Sequence, residues 1–116
     1  MQKSIPTNPV EASLSMIQGK WKVLIIRDLL NGEKRFCELK KSVSGITQKV
    51  LSATLKDMEQ DGILKRIEYS KIPPKVEYEL TDIGYSLRPV IQALHDWGKD
   101  YKKYMKLLGK LNSEKN

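Results

Sequence analysis

With 116 residues, 21 basic against 14 acidic side chains and a formal net charge of +7, the chain is long enough for one domain with a real core, 1–116, and too short for a large enzyme with a deep cleft. The positive balance favours an anionic partner such as nucleic acid or an anionic surface. A single cysteine, Cys37, excludes an intrachain disulfide framework; no apolar run approaches the ~20 residues of a membrane span and the opening MQKSIPTNPV lacks the apolar core of a signal peptide, so a soluble, cytoplasmic protein is expected.

The spacing of apolar residues predicts a short helix over 9–18, with Pro9 in its first turn, Val10, Leu14 and Ile17 on one stripe, and Gly19 as its stop. A second helix is expected over 20–30, turning Trp21, Leu24, Ile25 and Leu29 inward and ending at Asn31-Gly32. A third, 36–43, keeps helical spacing at Phe36, Leu39 and Val43, while Glu38, Lys40 and Lys41 face water. The ends, 1–7 and 112–116, are expected to fray.

Residues 45–62, GITQKVLSATLKDMEQDG, have two faces with different jobs. Val50, Leu51, Leu55 and Met58 recur at three- and four-residue steps and form a stripe to be buried; Gln48, Lys49, Ser52 and Lys56 fall on the other side, with Ala53 small enough for close approach. Thr47 can cap the helix start and Gly62 can take the left-handed conformation that ends it. Two helices joined by a short turn at Ser44-Gly45-Ile46, the second polar on its outer face, make a helix-turn-helix over 36–62. Geometry assigns base reading to Gln48, Lys49 and Ser52, with Thr47 near the backbone and Lys56 toward the phosphates, since Gln can pair with adenine and Lys can donate to guanine.

Beyond Gly62 the period changes from 3.6 to 2: Ile63, Lys65, Ile67 and Tyr69 alternate with Leu64, Arg66, Glu68 and Ser70, and Val76, Tyr78 and Leu80 with Lys75, Glu77 and Glu79. A hairpin over 63–81 follows, its tip running from Ser70 to Lys75 and stiffened by Pro73 and Pro74. An isolated two-stranded hairpin is marginal, so it is expected to lean on the reading helix as a wing. Arg35, Lys71 and Lys75 are then candidates for phosphate contact. The fold class is mainly α with a small β-hairpin (α+β), a winged helix-turn-helix.

From Leu80 the apolar positions run Ile83, Leu87, Val90, Leu94, Trp97, Tyr101, Tyr104, Leu108 and Leu111. This 3.5-residue period is the seam of a coiled coil. A helix over 82–111 would be roughly 43 Å long, whereas a domain of this size has a radius of gyration near ~13 Å. Pro89 and Gly98 are places for a kink. The overhanging seam, with the helix over 8–18, is expected to pack against a second copy through Val10, Leu14, Ile17, Leu87, Val90, Leu94, Trp97, Tyr101, Tyr104 and Leu108.

In GKWKVLIIRDLLNG (19–32), RFCELKK (35–41), GITQKVLSATLKDMEQDGIL (45–64), IPPKVEYELTDIGYSLRPV (72–90) and LHDWG (94–98), the chain resembles the HxlR-type winged helix-turn-helix transcription regulators. The resemblance implies a homodimer, built through the first and last helices, that binds an inverted-repeat operator in double-stranded DNA and acts as a repressor or activator. It also implies that the helix beginning at Thr47 enters the major groove and that the Pro73-Pro74 tip is the wing. Members that sense oxidants or electrophiles carry a cysteine just ahead of the N-terminal Pro-Val; here that position is Asn8, so thiol sensing does not carry over to it. Cys37, beside Phe36, reads as a packed thiol, with reaction toward an electrophile or small-molecule effector as the sharper alternative.

Catalysis finds few candidates. His95 is the one histidine and has no expected catalytic or metal role, no phosphate-cradling glycine loop is present, and neither metal nor cofactor is expected. Glu77 and Glu79 on one strand read as a solvated face beside Lys75. Trp97, Tyr101 and Tyr104 could line a small-molecule pocket or merely fill an interface. An alternative function is a winged-helix protein-docking module without a DNA target, which an apolar outer face on 45–62 would favour.

Overall fold

The computed structural model describes the backbone of residues 4–115 and side chains through residue 109. Leu111, expected on the seam, therefore has its side chain outside the described residues, as do the expected frayed residues 1–3 and 116. The elements run α1 (Pro9–Ile17), α2 (Lys22–Leu29), α3 (Phe36–Ser42), α4 (Gln48–Gln60), β1 (Leu64–Lys71), β2 (Pro74–Leu80), α5 (Asp82–Tyr85) and α6 (Arg88–Lys115). This is a helix-turn-helix followed by a two-stranded antiparallel wing and framed by terminal helices.

Local chemistry sets most boundaries. The Asn8 side chain accepts hydrogen bonds from the Val10 and Glu11 amides at the start of α1. Glu38 reaches back to accept from the Arg35 amide at 2.9 Å and opens α3, and Thr47 Oγ1 accepts from the Val50 amide at 3.1 Å and opens α4. Gly62, at φ 77°, closes α4, letting the Ile63 amide reach back to the Met58 carbonyl. The second helix begins at Lys22 rather than residue 20, because Trp21 serves as its N-terminal flank.

α2 lies at the centre and touches α1, α3, α6 and β2. One inward stripe does not cover so many neighbours, which is why Ile26, outside the expected set, is fully buried with Ile25 and Leu29. Around them close Leu39, Val43, Ile46, Leu51, Leu55, Met58, Leu64 and Leu80. Ile17 and Leu87, expected between subunits, instead pack within the protomer: Ile17 joins this core and Leu87 lies half-buried against it.

The strands pair further into the tip than their alternation indicated. Pairing runs from Leu64 with Leu80 out to Ser70 with Lys75 and Lys71 with Pro74, so only Ile72 and Pro73, joined by a cis peptide bond, remain as the turn. The register slips between Glu68 and Ser70, leaving Tyr69 bulged out of the ladder. On the other edge of β2 the Lys34 amide donates to the Tyr78 carbonyl (3.0 Å) and the Tyr78 amide donates to that of Lys34 (2.7 Å). The wing is thus stitched to the residues just ahead of α3.

The single helix expected over 82–111 is two. Thr81 caps the short α5, accepting from the Gly84 amide at 3.2 Å while its hydroxyl donates to the Gly62 carbonyl at 2.6 Å. At Gly84 an added Cβ would sit 2.2 Å from the Ile63 carbonyl oxygen, so only glycine permits this approach. The chain then turns at Ser86 and Leu87, because Pro89 is suited to a first helical turn and not to an interior. From Arg88 the helix runs unbroken through Gly98 to Lys115, absorbing residues 112–115 that were expected to fray. Ile91 is buried and the Arg88 guanidinium donates to the Leu30 carbonyl at 2.8 Å, seating the near end of α6 at the C-terminus of α2. The remaining turns project from the body, giving extents of 65 × 36 × 23 Å and a radius of gyration of 17.7 Å, against ~13 Å for a compact chain of this size.

Candidate nucleic-acid interface

α4 is held from behind. Leu51, Leu55 and Met58 are buried to 1% exposure or less. Burial of three such side chains contributes roughly 1.5–3 kcal/mol each and orients the opposite face. At about 100° of rotation per residue these three share a narrow sector, and Val50 lies roughly 100° from its centre. That offset is why Val50, expected in the buried stripe, is instead 38% exposed. The trailing end of α4 is tied to α2: Lys22, mostly buried, reaches Asp57 at 3.0 Å and Asp61 at 3.9 Å. The Ser42 hydroxyl donates to Asp28, tying α3 to the same central helix.

Thr47, Gln48, Lys49, Ser52 and Lys56 are all exposed, as expected of a reading face. Lys49, Ala53 and Lys56 point most directly away from the core, with Ser52 on the shoulder, while Gln48 lies nearer the buried sector and is exposed in the first turn of the helix. Among the described residues Lys49, Lys56 and Lys71 make no ion pair, so their charges are available to an anion. Arg35 and Lys75 are exposed too, and Lys75 Nζ lies over the Tyr69 ring at 5.2 Å from its centroid. The face has the chemistry of a duplex reader: amide and hydroxyl tips, ammonium groups and one small residue, with no large apolar side chain at its centre.

Three residues that fix this surface escaped the sequence reading. Tyr69 donates its phenolic hydrogen to Glu33 at 2.9 Å, binding the bulged wing strand to the α2–α3 connection. That hydrogen bond to the Glu33 carboxylate, with the negative field of Glu33, Glu77 and Glu79, raises the Tyr69 pKa above 10.0. Lys34 contributes only backbone groups to its pairing with Tyr78. Tyr69 and Lys34 act through a bulge and an isolated bridge that no short-range pattern announces.

Cys37 is exposed, which corrects the expectation of a packed thiol: Phe36 takes the inward position, and one residue on, the helix has turned to solvent. His95 is exposed and lies 3.3 Å from Asp96, whose carboxyl is held below its ordinary value by hydrogen bonds from His95 and Gln92. Among the described residues no three His, Cys, Asp or Glu side chains gather as a metal would need. Glu77 and Glu79 are half-buried rather than fully solvated, Glu79 lying 4.0 Å from Lys65. No described helix is long and apolar enough to cross a membrane.

A second surface lies along the terminal helices. Val10 (67% exposed) and Leu14 stand out on α1; Val90, Leu94, Trp97 (67%), Tyr101 and Tyr104 stand out along α6, with Leu108 half-buried. Trp97 and Tyr101 stack, centroids 5.1 Å apart and planes 11° from parallel. Exposed apolar side chains lined up in this way, unlike scattered single ones, mark a surface for interaction.

The family described as HxlR-like helix-turn-helix matches residues 16–106. YdeP of Bacillus subtilis (strain 168), an uncharacterized HTH-type transcriptional regulator, is 47% identical over 94 residues, covering 81% of this chain and 73% of its own. Among solved structures, the redox regulator HypR in its reduced form is similar with a TM-score of 0.81 at 38% identity, over 85% of this chain and 98% of HypR. The reduced form of the transcriptional regulator YodB from B. subtilis is similar with a TM-score of 0.73 at 35% identity, over 83% of this chain and 95% of YodB.

Proposed function

The chain belongs to the HxlR-like helix-turn-helix family of DNA-binding transcription regulators, and we propose that it works as a homodimer whose two α4 helices enter successive major grooves of an inverted-repeat operator. The carrying observation is the outer face of α4, where Thr47, Gln48, Lys49, Ser52 and Lys56 are exposed over a fully buried apolar stripe. That polar face favours a duplex over the protein partner of a docking module. Gln48, Lys49 and Ser52 read base edges, Thr47 lies near the backbone, and Lys56, Arg35, Lys71 and Lys75 meet phosphates. The second copy covers Val10 and Leu14 on α1 and the row from Val90 to Leu108 on α6. Two-fold symmetry then sets the half-sites about one helical turn, ~34 Å, apart. A cytoplasmic location accords with this reading.

HypR is named a redox regulator. A redox or electrophile signal to this chain would be received at Cys37, its one thiol, exposed early in α3. Asn8, by contrast, is occupied in capping α1.

A salt titration of duplex binding tests the electrostatic part. If α4, Arg35 and the wing neutralise roughly four phosphates per protomer, log affinity falls with log salt at a slope of about −7 for the dimer. A slope near zero would contradict the assignment.

A further inference from the structure

Opposite the apolar row, the projecting part of α6 carries Lys99, Lys102, Lys103 and Lys106, all exposed. At about 100° per residue the four occupy one sector roughly 100° wide, centred on the far side of the helix from Val90, Trp97 and Tyr101. No carboxylate shares that sector: Asp96 and Asp100 fall on its flank, and among the described residues none of the four lysines is in an ion pair. The spacings between them are three and four residues, at which like charges destabilise a helix and opposite charges support it. An ordinary solvated face would alternate signs there. This one holds four ammonium groups along roughly 10 Å of helix, about the rise of three phosphate steps on one DNA strand, with carboxylates on one flank only, where Asp96 feels the charge of Lys99.

We propose that this ridge is a second, sequence-independent contact for the phosphate backbone of duplex DNA, separate from the reading face of α4. It rests on the dimer reading above, in which a second copy covers the aromatic row and leaves the lysines as the outward surface. Three alternatives are disfavoured by the composition of the ridge. A membrane surface would take up the apolar row on the other face of the same helix, and in the dimer a second copy covers that row. A protein partner is ordinarily gripped by Trp, Tyr or Arg anchors, whereas lysine is depleted at such interfaces. A base-reading face ordinarily sets lysine among amide, guanidinium or hydroxyl groups, as α4 does, whereas the ridge from Lys99 to Lys106 presents lysine alone.

The test is the full chain with all four lysines changed to glutamine (K99Q, K102Q, K103Q, K106Q), a change that keeps helix propensity and leaves the apolar row intact. Circular dichroism and sedimentation should match the wild type. Binding to a mixed-sequence duplex should weaken at least ~10-fold, and if half of the dimer's eight ridge lysines engage, the log–log salt slope should become shallower by roughly 3 to 4. Unchanged affinity and slope would overturn the proposal. So would a loss of binding confined to phosphatidylglycerol vesicles or to polyglutamate. K56A, measured in parallel, separates the two surfaces: a silent K56A beside a weakened ridge variant counts against the reading helix alone, and the reverse against the ridge alone. Capture of a second labelled duplex by an immobilised complex assigns the ridge to another DNA segment, and tighter binding to longer duplexes without capture assigns it to the same one. Either result supports the contact.

Discussion

Two amphipathic helices in this chain stand in opposite relation to their protomer. In α4 the apolar stripe of Leu51, Leu55 and Met58 is buried and the polar stripe is presented outward. In α6 beyond Ile91 the apolar stripe of Leu94, Trp97, Tyr101 and Tyr104 is itself outward. The difference lies in what stands behind each helix. α4 is backed by the core, by the Lys22 ion pairs and by the wing tied through Lys34 and Glu33. Past Ile91, α6 extends beyond the body. One protomer therefore suffices to hold a reading surface, whereas on the dimer proposal the outer part of α6 is completed by a second copy, so reading and assembly should be separable by mutation.

The largest expected effect comes from breaking assembly alone. With Leu94 and Trp97 both changed to Asp, sedimentation should show monomers whose fold is retained. Operator affinity should drop by ~10²-fold or more, because the second half-site no longer benefits from linkage to the first. A variant that stays dimeric would place the interface elsewhere.

Truncations at matched leucines sharpen the contrast. Leu55→Ala should cost about 2–5 kcal/mol in urea unfolding at any protein concentration, since Leu55 is 1% exposed. Leu94→Ala should instead lower the midpoint by weakening association and make it less dependent on protein concentration than the wild type, as expected where stability is drawn from a partner. Equal behaviour of the two would erase the distinction. A smaller change is expected from Lys56→Ala, which should weaken all sequences alike and reduce the magnitude of the dimer's salt slope by about 2, one contact being lost from each protomer.

The mildest prediction concerns the wing. The Tyr69 phenol is neutral when it donates to Glu33, and its pKa is raised above 10.0. Its contribution is therefore intact below the unfolded-state pKa and is lost as pH rises through the higher folded-state value. Ultraviolet titration should reveal a late-ionising phenol that disappears in Tyr69→Phe; a phenol already ionising at its ordinary pH would contradict the contact.

Much of the reading end was legible because its signals are local. The spacing of Leu51, Leu55 and Met58, the capping oxygen of Thr47 and the left-handed Gly62 mark α4 within a residue or two, and period-two alternation marks the hairpin. Misassignments arose where the outcome depends on which neighbour an apolar residue meets. Ile17 and Leu87 have the period of the seam yet find partners within the protomer, while Val50 is turned just past the edge of the buried sector. Cys37 is exposed because Phe36 takes the inward place beside it. Breaking the last helix at Ser86 required weighing Pro89 above an unbroken apolar rhythm. The pairings of Lys34 with Tyr78 and Tyr69 with Glu33 join segments far apart in the chain, which no periodicity encodes.

The most direct test of α4 as a symmetric reader is selection of bound duplexes from random DNA by the wild type and by Gln48→Ala. The wild type should yield an inverted repeat with half-site centres about 10 base pairs apart, and the variant the same repeat with choice relaxed at one position in each half by ~1–3 kcal/mol. An unrepeated motif, or an identical motif from both proteins, would contradict the account.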